Sequence, residues 1–282
     1  MNKEIIGIIG AGTMGGGIAQ MFAENGFQTL LWDVNDNFAN KGIEKIQKRL
    51  NKSVEKGKLT AKKAKSIISH ISKADDLNKF AEADLVIEAI VENYDIKTEL
   101  YKKLEKIVSP ETIIGSNTSS LSVTDLSSNF TSPKRFLGIH FFNPPTKLEL
   151  VEVIATPNLC PKVSQKVNDI LTRCGKSAVN VNDSPGFIVN RLLLPFINEA
   201  AKLLDDGVAK AEDIDTAMRL GTLHPAGPLQ VADLIGLDIC KDILEKLAES
   251  LDQPNYKPAK SIVSLVKAGK LGRKTGEGFH VY

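Results

Sequence analysis

The sequence predicts an α/β fold: a doubly wound, parallel sheet domain followed by a smaller all-α domain. Three observations predict it. Short apolar, β-branched runs alternate with helical patterns over the first two thirds of the chain. The first of these runs opens into a glycine-rich turn and a helix. Near Asp183-Ser184-Pro185-Gly186 the strand-like runs stop, and nearly everything beyond reads as helix. The boundary therefore falls near 184, giving domains of 1–184 and 185–282.

The organising stretch is Ile5-Ile6-Gly7-Ile8-Ile9, an apolar run suited to a strand buried on both faces. Gly10, Gly12 and Gly15 follow in G-x-G-x-x-G spacing, and Ile18, Ala19, Met21, Phe22 and Ala23 mark a helix that Gly26 closes. Phe27 to Trp32 reads as the next strand and ends at Asp33. Gly10 permits the tight turn, Gly12 lets backbone approach a pyrophosphate, and Gly15 lets helix and strand pack closely. The helix N-terminus offers free N–H groups to phosphates. Asp33 stands where a carboxylate binds a ribose 2′-OH and repels a 2′-phosphate, so the turn predicts NAD rather than NADP.

Composition narrows the class. The chain has 282 residues, 42% hydrophobic and 25% charged, which suits a globular protein of one large or two ordinary domains. A formal net charge of +2 gives no sign of a nucleic-acid partner. No apolar run nears the roughly 20 residues of a membrane span. Met1-Asn2-Lys3-Glu4 leads straight into the first strand, with no signal peptide expected. Cys160, Cys174 and Cys240 are scattered and read as reduced, mostly buried thiols, which predicts a cytoplasmic protein. Four histidines without metal-ligand spacing predict no metal site.

Further along, residues 36 to 57 read as a long helix and a second starts near Thr60. Lys52 and Lys56 lie one turn apart on the first, either as part of a solvated face or as a landing site for a phosphorylated ligand. Ala83 to Ile90, Glu111 to Ser116 and Arg135 to His140 read as strands, with a helix from Tyr94 to Val108 between the first two. Ligands of such sheets bind beyond the carboxyl ends of the strands, which places Glu92, Asn117 and Ser119 near the cofactor. Thr118, Ser119 and Ser120 read equally as caps of a helix near Ser122. His140 ends its strand beside the rigid Pro144-Pro145 loop, as a structural hydrogen-bonding residue or a catalytic one. A strand over 148 to 154, a helix over 162 to 174 and a strand over 178 to 181 complete this half. The remaining helices are expected at about 187–206, 211–220, 229–250 and 258–268. Pro195 removes a hydrogen bond inside the first and kinks it. Asn190, one turn earlier, is either solvent-facing or a functional polar contact.

Taken together these residues resemble the 3-hydroxyacyl-CoA dehydrogenase family, in particular its short-chain bacterial 3-hydroxybutyryl-CoA branch. The likeness covers the whole chain and runs through G-A-G-T-M-G (10–15), D-L-V-I-E-A-I-V-E-N (84–93) and S-N-T-S-S-L (116–121). It continues through H-F-F-N-P-P (140–145), L-V-E-V-I (150–154), D-S-P-G-F-I-V-N-R (183–191) and K-T-G-E-G-F (274–279). The resemblance implies a Rossmann-type NAD domain and a helical domain that supplies part of the substrate cleft and a homodimer contact. It implies His140 as acid/base oriented by Glu152, with Ser119 and Asn190 placing substrate oxygens. Cofactor contacts are implied at Asp33, Glu92, Lys97, Asn143 and Lys274, and coenzyme A contacts near Lys52 and Lys56. The reaction implied interconverts (S)-3-hydroxybutyryl-CoA and acetoacetyl-CoA in fermentation or fatty acid metabolism. His280 departs from the aromatic Tyr common at that position. Two rivals stay in view. A gulonate-type sugar-acid dehydrogenase shares the Ser-His-Asn set, and a non-catalytic NAD(H)-binding protein would need an output module. The β-hydroxyacid group uses a Lys four residues before an Asn, where this chain has Gly186 before Asn190.

Overall fold

In the computed structural model, which describes residues 4–282, Ile5–Ile9 forms strand β1 inside an eight-stranded sheet. Strands β2 (Gln28–Trp32), β3 (Ile71–Lys73), β4 (Leu85–Glu88), β5 (Ile113–Ser116), β6 (Phe136–Phe141), β7 (Leu150–Ala155) and β8 (Ser177–Asn182) complete it. Their spatial order is β3-β2-β1-β4-β5-β6-β7-β8. Neighbours pair in parallel except β6 and β7, which are antiparallel. A parallel return needs a crossover of about a dozen residues or more. Residues 142–149 are too few for one, so the chain turns back beside itself.

Helices α1 (Thr13–Glu24), α2 (Asp36–Glu55), α3 (Ala61–Ile68), α4 (Tyr94–Leu104), α5 (Val123–Ser127) and α6 (Pro161–Arg173) belong to the same unit, which ends at Asp183. Ile6, Ile8, Leu31, Leu85 and Ile87 of the sheet share one core with Ile18 and Phe22 of α1. Phe22 stands edge-on to Phe27 and Phe141, with ring centroids 5.6 and 6.5 Å away. Each such ring contributes roughly 1.5–3 kcal/mol by burial. Sequence patterning misses the three-residue strand β3 and the 3₁₀ turns at Leu77–Glu82 and Pro133–Arg135. The Leu77–Glu82 turn explains Gly7. A Cβ there would stand 2.3 Å from the Phe80 ring, which fills the space.

The second unit starts at Ser184 and is helical: α7 (Val189–Asp205), α8 (Ala211–Gly221), α9 (Pro228–Ile235), α10 (Leu237–Ser250) and α11 (Lys260–Lys267). Leu194, Ile197, Leu229, Leu237, Leu244 and Ile262 pack its core. The single helix expected over 229–250 is two. Gly236 separates them with φ of +106°, a left-handed backbone that ends α9 and starts α10. Helix α7 runs through Pro195. His280 has a partner of its own: its Nε2 lies 2.7 Å from Asp215, whose carboxylate also accepts the N–H groups of Leu229 and Gln230 at the start of α9. No helix among the described residues is long and apolar enough to cross a membrane.

Candidate active site

The glycine-rich turn has the geometry its spacing predicts. Gly10 adopts φ of +102°, and a Cβ there would press to 2.5 Å from the Ala89 carbonyl. At Gly15 a Cβ would stand 1.8 Å from the Gly10 carbonyl oxygen, so only hydrogen fits between α1 and the turn. Gly12 differs, since a Cβ there would meet nothing within 4 Å. Its backbone borders a cavity of about 1190 Å³ at the carboxyl ends of β1, β2 and β4. Asp33 lines the same cavity, and its Oδ2 accepts the Ala11 N–H at 2.7 Å, tying the acid to the turn. Open backbone at Gly12, a helix N-terminus without a side-chain cap and an acid at the far end fit a dinucleotide. Phe38, Lys41 and Lys45 of α2 also line the cavity, which sequence patterning does not indicate. Their helical spacing reads as a solvated face until β2 brings α2 over the turn.

Farther along the rim, His140 on β6 stands directly opposite Glu152 on β7 in the antiparallel register. His140 Nδ1 lies 2.7 Å from Glu152 Oε2, and both side chains are buried. The imidazole also packs on Phe142, with ring centroids 4.5 Å apart. A cross-strand pair of this kind takes its geometry from the sheet rather than from a loop. Asn143 lies in the exposed loop that follows. Lys176 anchors that loop by donating to the carbonyls of Pro145 and Leu148 at 2.6 and 2.7 Å. Burial holds this ammonium below its ordinary pKa.

Between the two lies a charged cluster. Glu92 Oε1 accepts from Thr118 Oγ1 at 2.6 Å, from Ser119 N at 2.9 Å and from Ser120 N and Oγ at 3.0 Å. Burial disfavours this carboxylate, but the Lys97 ammonium and the hydrogen bonds from residues 118 to 120 outweigh it and hold its pKa below the usual range. The cap of α5 is Ser122, which accepts from Asp125 N, so Ser119 and Ser120 serve the Glu92 turn instead. Asn117 Oδ1 accepts the Phe141 N–H at 2.9 Å and joins the ends of β5 and β6. Lys97 is fully buried, with Nζ 2.6 Å from Glu88 and 3.5 Å from Glu92. Motif spacing does not point to Glu88, although an acid inside L-V-I-E-A-I is a signal: a buried carboxylate needs partners.

The remaining candidates are placed as follows. Lys52 lies in the last turn of α2 and Lys56 caps it, both exposed. Asn190 occupies the first turn of α7 and is buried, not solvent-facing. Lys274, on a 3₁₀ turn of the helical unit, lies 2.6 Å from Asp238 Oδ2. Burial opposes the Asp238 carboxylate, and the Lys274 bond overrides it and lowers its pKa.

A glycine-rich cradle on the carboxyl rim of a mostly parallel sheet places the chain among NAD-binding oxidoreductases. Residues 5–184 match the family model for the 3-hydroxyacyl-CoA dehydrogenase NAD-binding domain, and residues 186–282 match that for the C-terminal domain. The chain belongs to the 3-hydroxyacyl-CoA dehydrogenase family, and NAD is its cofactor. It is 46% identical over 280 residues to a probable 3-hydroxybutyryl-CoA dehydrogenase of Bacillus subtilis, covering 99% of this chain and 97% of that one. A probable 3-hydroxybutyryl-CoA dehydrogenase of Deinococcus radiodurans is 45% identical, covering 98% and 99%. Among solved structures, the (S)-3-hydroxybutyryl-CoA dehydrogenase of Ralstonia eutropha superposes with a TM-score of 0.94 at 41% identity, covering 100% and 99%.

Proposed function

We propose that the protein interconverts (S)-3-hydroxybutyryl-CoA and acetoacetyl-CoA with NAD, using His140 and Glu152 as its acid/base pair. The observation that carries this reading is the 2.7 Å His140–Glu152 bond on the sheet rim that also holds the glycine-rich cradle. Bound NAD supplies the acceptor for the hydride from C3. The chain's residues manage the proton. Glu152 engages Nδ1, which assigns proton exchange with the substrate oxygen to Nε2. In oxidation the hydroxyl proton passes to that nitrogen; in reduction the imidazolium returns it to the ketone oxygen. Imidazole suits both directions near neutral pH. A carboxylate on the far nitrogen fixes the tautomer and offsets the imidazolium charge.

Ser119 and Asn190 hydrogen-bond the substrate oxygens where charge develops. Asp33, Glu92 and Asn143 bind the cofactor, Lys97 acts beside Glu92, and Lys274 serves from the helical domain. Lys52 and Lys56 receive the phosphates of coenzyme A. The domains divide at residue 184, and the protein works as a cytoplasmic homodimer. The test is steady-state reduction of acetoacetyl-CoA with NADH and with NADPH. NADH should be strongly preferred, because Asp33 repels a 2′-phosphate. A chain carrying Lys52→Ala and Lys56→Ala should show a raised KM for acetoacetyl-CoA and an unchanged KM for NADH. Oxidation of a sugar acid such as gulonate with no turnover of acetoacetyl-CoA would overturn the assignment.

A further inference from the structure

Glu88 ends β4, and its side chain is completely buried. A carboxylate is retained in such a place only with partners for its lone pairs. Here four donors reach it: Lys97 Nζ at 2.6 Å and Ile90 N at 2.7 Å on Oε1, Tyr101 OH at 2.5 Å and Ser116 Oγ at 2.8 Å on Oε2. Burial next to this carboxylate pushes the Tyr101 hydroxyl well above its ordinary pKa, so it stays a donor.

The Lys97 ammonium is likewise shut off from solvent, held between Glu88 and Glu92. Glu92 in turn gathers Thr118, Ser119 and Ser120 on one oxygen. The result is a continuous chain of contacts, Glu88–Lys97–Glu92, leading from the sheet interior to the turn that carries Ser119. We propose that Glu88 is a positioning residue of the dehydrogenase. Acting through Lys97, it holds Glu92 against the 118–120 turn and so sets where the Ser119 hydroxyl stands. This rests on the dehydrogenase reading above. Stability alone is a poor reason for such a chain, because apolar side chains of similar volume serve a core as well or better. A chain that ends on the rim, on the backbone of a substrate-placing residue, has a geometric task. The same carboxylate also pins the Ile90 N–H, the start of the loop that leads to Glu92. Both ends of that loop therefore answer to Glu88.

The test is a double-mutant cycle of Glu88→Gln with Ser119→Ala, read as kcat/KM for acetoacetyl-CoA with NADH. Folding of each variant is checked by circular dichroism. In the wild-type background Glu88→Gln should cost about tenfold, the worth of one charged hydrogen bond. With Ser119→Ala already present the cost should fall below about threefold, because the residue it acts through is gone. The full tenfold in both backgrounds would reduce Glu88 to a core residue and overturn the proposal. Should Glu88→Gln fail to fold, the same cycle is run with Glu88→Asp, which keeps the carboxylate but shortens its reach to Lys97. Coupling to Ser119→Ala there supports the path, and additivity overturns it. Wild-type protein that leaves acetoacetyl-CoA untouched refutes the dehydrogenase reading and this proposal with it. An active enzyme with additive cycles refutes only the role of Glu88.

Discussion

His140 and Glu152 meet across adjacent strands, so the register of β6 and β7 sets the ring orientation. Replacing His140 by Gln keeps a polar side chain of similar reach and removes the transferable proton. We expect kcat to fall by ~10²–10⁴-fold, the usual worth of general acid/base catalysis, with NADH affinity unchanged. Glu152→Gln still offers an oxygen to Nδ1–H but no charge to offset imidazolium. Its cost should be smaller, on the order of ten- to a hundredfold. Stopped-flow reduction of acetoacetyl-CoA, with NADH titrated separately by fluorescence, reads both effects. Ordinary turnover by folded His140→Gln protein would remove the residue from its role.

At the scale of elements, the strand–turn–helix unit separates two uses of glycine. Gly15→Ala forces a methyl into the Gly10 carbonyl, 1.8 Å away, so α1 must move off the turn and the protein should lose thermal stability and NADH binding together. Gly12→Ala meets no protein atom, so Tm should hold while NADH affinity drops, because the methyl enters the cavity. Calorimetric melting and NADH titration of the pair would show the split, and equal melting loss in both would contradict it. The Glu92 clamp between the β4 and β5 loops makes a pH prediction. Its folded pKa lies below the ordinary 4.5, so its stabilisation is complete above about that pH and is lost as pH falls through the lowered value. Glu92→Gln should therefore flatten the acid limb of the stability curve below 4.5 and lower stability at neutral pH. An acid limb identical to wild type would show that the clamp does not titrate. These elements also mark what the chain reveals before folding. The β1 unit was legible because its signals are local: an apolar run, glycine spacing and an acid lie within one short stretch. The His140–Glu152 contact was legible only through family resemblance, because residue spacing alone does not specify the antiparallel step. Glu88 was signalled by a lone acid in an apolar strand, but its partners Lys97, Tyr101 and Ser116 come from three other places in the chain. Gly236 looked like an ordinary interior glycine of a long helix, and only its positive φ shows the break.

For the whole molecule, two buried thiols report on the two units separately. Cys174 follows α6 and packs in the sheet core, while Cys240 lies on α10 in the helical core. Burial pushes each thiol up to about 12, so neither is ionised at pH 8 in the folded protein. Alkylation requires thiolate and access. Iodoacetamide at pH 8 should therefore modify half-buried Cys160 in the native protein and spare the other two until their unit opens. Labelling across a urea series, read by peptide mass spectrometry, then gives one midpoint for each unit. The glycine-rich cradle and Asp33 lie wholly within the first unit. Binding to a folded unit adds RT ln(1 + [L]/Kd), about 2.7 kcal/mol at a hundredfold excess over Kd. Saturating NADH should thus move the Cys174 midpoint clearly upward. The Cys240 midpoint should move less, by no more than the proposed cofactor role of Lys274 would add to the helical unit. A shift confined to Cys240 would place cofactor binding in the helical unit and refute the assignment of Gly12 and Asp33.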